Sequence, residues 1–106
     1  MSTSYRRYEI LLPRRFNDGQ PVPNRIFTET IIELRDQFGA VSCETQPIRG
    51  QWQHEGQIYR DEVLRLFVDV HDTLENREFV IHFKQQLKAR FRQLDIWLTS
   101  YPIDVL

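Results

Sequence analysis

One cysteine, one methionine and four glycines are all that this chain of 106 residues holds of those three residue types. A lone Cys43 excludes an internal disulfide and fits a reducing, cytoplasmic setting better than a secreted one. The few glycines read as turn residues, so no Gly-rich loop is available to cradle a phosphate. The longest apolar run near the start, Ile10-Leu11-Leu12, is too short for a signal-peptide core or a membrane span. A basic excess is also missing. Fourteen Lys and Arg stand against 15 Asp and Glu, a net charge of −1, which argues against a dedicated nucleic-acid binder. No Ser, His and Asp order resembles a hydrolase signature. His54, His71, His82 and Cys43 make no recognised metal-ligand spacing, so no metal, cofactor or catalytic residue is expected. Cys43 sits in a strand pattern without an adjacent base and reads as a buried apolar thiol.

What remains is an ordinary globular composition, 41% hydrophobic and 27% charged. The length fits one domain over residues 1–106, able to bury a core without metal or disulfide staples.

Tyr5 to Pro13 alternates like a strand, with Tyr8, Ile10 and Leu12 on one face. A turn-rich loop follows through Asn17-Asp18-Gly19 and two prolines. Asn24 is placed as an N-cap, Phe27, Ile31, Leu34 and Phe38 recur at helical spacing, and Gly39 stops a helix over Arg25 to Phe38. Ala40 to Gln53 reads as an edge strand bent near Pro47. After the His54-Glu55-Gly56 turn, Gln57 to Val70 is the third strand, so strands two and three make a long hairpin. Asp72 and Glu75 have capping-box spacing ahead of a helix striped by Phe79, Phe83, Leu87, Phe91 and Leu94. Ile96 to Tyr101 is a last strand ended by Pro102, and the apolar tail Ile103 to Leu106 is expected to dock.

The order strand, helix, strand, strand, helix, strand predicts an α+β, ferredoxin-like βαββαβ sandwich. It would have a four-stranded antiparallel sheet with both helices on one face. The other face would then stay open. By alternation it carries Arg7, Leu11, Val63, Arg65, Phe67, Trp97 and Tyr101, an aromatic patch mixed with charge, which marks an interface. Homodimerisation through that face is the leading reading, with Arg7 or Arg65 pairing Glu9, Asp61 or Asp69 of a second copy. RNA-binding sheets of this topology need a glycine and alternating aromatics on the third strand, whereas this one reads DEVLRLFVDV.

One feature breaks the pattern. Arg60 and Glu62 share parity with Leu64, Leu66, Val68 and Val70, which puts two charges on the core side. Three structures satisfy that placement: a hairpin running past the helices, a buried ion pair, or a polar pocket at the sheet end. The pocket would use Trp52 as wall, His54 nearby and Arg60 for a small acidic ligand, with Glu62 or His54 as acid or base. A β-bulge at Asp61 would swap the faces and remove the conflict.

Gly50-x-Trp52, a turn and Arg60-x-Glu62, with the closing Leu98-Thr99-Ser100-Tyr101-Pro102-Ile103-Asp104, resemble small bacterial proteins of ferredoxin-like topology. That resemblance implies the fold and carries no settled activity. The expectation is therefore a protein-contact module without membrane attachment, working as a homo-oligomer or beside a protein partner. A small ligand-binding protein or enzyme is the second expectation and nucleic-acid binding the third.

Overall fold

The computed structural model describes residues 4–106. Its elements run β1 (Tyr5–Pro13), α1 (Asn24–Phe38), β2 (Ser42–Cys43), β3 (Ile48–His54), β4 (Gln57–His71), α2 (Leu74–Arg90) and β5 (Trp97–Ile103). The architecture is ferredoxin-like α+β, but the antiparallel sheet has five strands where the sequence suggested four. The expected second strand is split into β2 and β3, which pair end to end along the same edge of β4. Pro47, which has no N–H to give to a ladder, lies in the break. The sheet order is β2, β4, β1, β5, with β3 extending the β2 edge.

One face of this sheet and both helices make the core. Tyr8, Ile10 and Leu12 of β1 alternate inward beside Leu66, Val68 and Val70 of β4. Leu34 of α1 and Val80, Phe83 and Leu87 of α2 cover them, with Phe91 and Ile96 closing the end. Phe27 meets Phe91 edge to face and Phe38 meets Phe79 the same way, with ring centroids 5.3 Å apart in each pair. The α2 stripe includes Val80 and omits Leu94, which is 92% exposed past the helix end. Thr30 is also fully buried; its Oγ1 donates to the Ile26 carbonyl (2.8 Å) and accepts from Arg90 (3.0 Å).

The ends of the elements differ in detail from the sequence reading. Pro23, not Asn24, holds the N-cap position of α1, and it offers no side-chain cap. The α2 cap is Thr73, whose hydroxyl accepts from the Asn76 amide at 3.1 Å; Asp72 instead pairs with Arg6. β5 continues through Pro102 to Ile103, which an edge strand tolerates because one side of its backbone needs no donor. The end of the tail does not pack on its own chain: Val105 and Leu106 are exposed.

The molecule measures 50 Å along its long axis against 30 and 25 Å across. The length comes from the β3–β4 hairpin. Ile48 to His54 pairs residue for residue with Gln57 to Val63, a ribbon of about 23 Å at strand rise. Glu55 (φ 50°) and Gly56 (φ 78°) sit left-handed at its tip, the two-residue turn that matches strand twist. Among the described residues, no helix is long and apolar enough to cross a membrane.

Candidate functional site

The open sheet face is built from odd-numbered residues of β1, β4 and β5. Cross-strand register sets Arg7 beside Asp69 and Tyr101, Glu9 beside Phe67 and Thr99, and Leu11 beside Arg65 and Trp97. Arg7 grips Asp69 through two parallel hydrogen bonds of 2.7 and 2.9 Å. Arg65 donates to Glu9 on one side and to Glu44 on the other, the latter at 2.7 Å. Tyr101 donates its hydroxyl to Glu9 at 2.8 Å.

Phe67 holds the centre of this network. The Arg7 guanidinium lies 4.3 Å from its ring centroid and that of Arg65 4.6 Å, so cations cover the aromatic ring instead of water. The hydrogen bonds from Arg65 and then Tyr101 hold the Glu9 carboxyl below the usual carboxylate range. Hydrogen bonding to Asp69 raises the Arg7 pKa, and Glu9 does the same for Arg65. The sequence expectation gave these charges to a second copy; the structure pairs them within the chain. Asp61 lies further along the ribbon and accepts from the Trp52 indole at 2.7 Å.

All seven residues expected on the open face lie on it. Leu11, Val63, Arg65 and Phe67 are half-buried among their neighbours, Trp97 is 67% exposed, and Tyr101 is exposed as well. Sequence reasoning missed Glu44, which reaches Arg65 from just beyond β2: a bend near Pro47 was legible, but not the register that sets Glu44 beside Arg65.

The four residues expected to form a polar pocket are not brought together. Trp52 pairs with Tyr59 and His54 with Gln57, so both lie on the face that carries the odd-numbered residues of β4. Arg60 and Glu62 lie on the opposite face, across from Gln51 and Arg49. No bulge interrupts the register from Ile48 to His54, and both charged residues are exposed because the ribbon runs past the helices. Glu62 takes a surface ion pair from Arg14 at 3.3 Å. The Trp52 indole instead stacks on the Tyr59 ring, 4.3 Å between centroids and 15° from parallel.

His71 packs against Tyr5 and His82 is exposed. No group of three His, Cys, Asp or Glu side chains among the described residues is placed to hold a metal. Cys43 is exposed, contrary to expectation, because β2 is a two-residue edge strand that nothing covers. Partial desolvation, then the Glu44 charge, raise the pKa of its thiol, which disfavours the reactive thiolate.

Solved structures share this fold. A phage SAM lyase in complex with S-methyl-5'-thioadenosine aligns over 99% of this chain and 93% of its own, with a TM-score of 0.68 and 15% identity. The divalent cation tolerance protein CutA1 from Thermus thermophilus covers 95% of this chain and 85% of its own, at TM-score 0.65 and 14% identity. A Bacillus cereus protein related to NIF3 matches 99% of this chain with 27% of its own length, at TM-score 0.65 and 13% identity. At these identities the likeness is one of fold. No protein-family model and no curated protein sequence matches the chain.

Proposed function

We propose that this protein is a self-associating, non-enzymatic module whose open sheet face is covered by a second copy. The observation carrying this reading is the state of the charges on that face. Arg7, Arg65, Glu9 and Asp69 are already paired inside the chain, so a partner can cover them without stranding a buried charge. Around them Trp97 and Tyr101 stay exposed, the aromatic type that anchors interfaces. The ribbon adds to the case. A two-stranded hairpin in water is marginal alone, and this one leaves Ile48, Trp52 and Ile58 exposed. A homodimer is the simplest closed assembly of this kind, since the same patch serves both subunits.

Sedimentation equilibrium across micromolar concentrations tests it. The wild type associates, and Trp97→Ala weakens association by roughly tenfold or more while leaving the unfolding transition of the monomer nearly unmoved. A strict monomer at high micromolar concentration, or equal association of the variant, overturns it.

A second reading rests on the flat Trp52–Tyr59 stack at the ribbon and on the phage lyase that binds S-methyl-5'-thioadenosine. Under it, the half-exposed Trp52 face receives a purine ring of a small nucleoside. Saturable quenching of tryptophan fluorescence by S-methyl-5'-thioadenosine, lost in Trp52→Leu, supports this reading; no quenching removes it.

A further inference from the structure

A groove of about 190 Å³ lies on the covered side of the sheet, between α2 and the β1–β5 pair. Its volume is several times the roughly 30 Å³ share of one water molecule. Tyr8 and Ser100, directly opposed in the ladder, form its base with Leu98. Arg77, Ile81 and Lys84, spaced along one face of α2, form its wall.

Tyr8 is 3% exposed, and its hydroxyl is the one buried side-chain polar atom among the described residues without a hydrogen-bond partner. A buried hydroxyl left unpaired is costly, and a phenylalanine would fill the same space without that cost. The surrounding groups are donors. Ser100 Oγ accepts from Arg6 at 3.1 Å, which leaves its own proton free to donate. Arg77 has no carboxylate partner among the described residues, whereas Arg6 is paired with Asp72 and Lys84 with Asp95, each at 3.1 Å. The groove therefore presents a cation without a counter-charge above a hydroxyl without an acceptor.

We propose that this groove binds the oxyanion head of a small molecule, a phosphoryl or carboxylate group, with Tyr8 and Arg77 as donors. Ser100 supplies a third hydrogen bond. Tyr8 lines the groove, and its hydroxyl is out of reach of bulk solvent. Entry requires a lining side chain to turn, which the long, unbranched Arg77 and Lys84 do by rotamer change.

Thermal unfolding of the full chain with inorganic phosphate and with succinate, chloride holding ionic strength constant, tests the site. The wild-type melting temperature rises saturably with at least one probe. A rise with phosphate alone assigns a phosphoryl ligand, and one with succinate alone a carboxylate. Tyr8→Phe and Arg77→Gln each weaken apparent affinity by about tenfold or more. Without probe, Tyr8→Phe melts at or above the wild type, because it removes an unpaired hydroxyl. No saturable rise with either probe, or an equal rise in both variants, overturns the proposal. So does a lower melting point of Tyr8→Phe without probe, which would mean that trapped water already satisfies the hydroxyl.

Discussion

Replacing Glu9 by Gln tests whether the open-face network holds together as described. Glu9 accepts two charge-assisted hydrogen bonds, from Arg65 and from Tyr101, and its side chain is 20% exposed. Each such bond contributes about 1.5–3 kcal/mol when well shielded. Both bonds end on the same oxygen, Oε1, which glutamine keeps as a neutral acceptor, so both survive but each loses its charge assistance, about 1–1.5 kcal/mol, while Arg65 retains Glu44. With partial solvent screening, the loss at pH 7 is about 2 kcal/mol, or roughly 10 °C in melting temperature for a domain of this size. The pH dependence gives the sharper signature. The folded-state pKa of Glu9 is depressed, so its contribution is present above the unfolded value and disappears as pH falls through the folded one. Urea unfolding of wild type and variant, at protein concentrations too low for association, should show a gap at pH 7. That gap closes towards the acid limit of the folded state. Absence of the gap at pH 7, or its persistence unchanged in acid, refutes the assignment.

Two further substitutions probe the scaffold. Thr30→Val keeps the shape of a fully buried side chain but removes the Arg90 acceptor and the bond to Ile26, and should cost about 1 kcal/mol in urea unfolding. Gly39→Ala meets no steric contact, yet places a Cβ at φ 83°, so backbone strain alone should lower stability by about 1 kcal/mol, and Gly39→Asn by less.

The elements with a single apolar face were legible in the sequence. Alternation in Tyr8, Ile10 and Leu12 and in Leu66, Val68 and Val70 assigns both strands to one covered face, because a strand has only two sides and only one is apolar. The same parity puts Phe67 and Trp97 outside. What parity cannot carry is the partner of each charge. Arg7 and Asp69 are 62 positions apart and meet only because β1 and β4 pair in one particular register. The Tyr8 groove was illegible for a related reason. A tyrosine in an apolar alternation reads as core, and its ring is core; only the packed α2 shows that the hydroxyl finds no acceptor.

Arg60 and Glu62 mark where alternation stops being informative. Parity states which side of a strand a residue takes, not whether anything lies on that side. β4 is 15 residues long, and its core-side positions are covered only from Leu64 onward, beside the helices. Over Gln57 to Asp61 the strand has β3 as its only ladder partner, and Arg14 joins only at Glu62, so both faces meet water and apolar and charged side chains are both tolerated. An exposed ribbon with Trp52 and Tyr59 on one face and Arg60 and Glu62 on the other is therefore no flaw in the core pattern. It is a second surface with its own chemistry. If the ribbon is an arm that a second copy covers, Trp52→Ala should weaken association independently of Trp97→Ala. The two effects should add, because the residues lie on different parts of the sheet and share no partner. Full additivity in sedimentation equilibrium would extend the interface from the sheet face to the ribbon. No effect of Trp52→Ala would confine the interface to the sheet face and leave the aromatic stack to ligand binding.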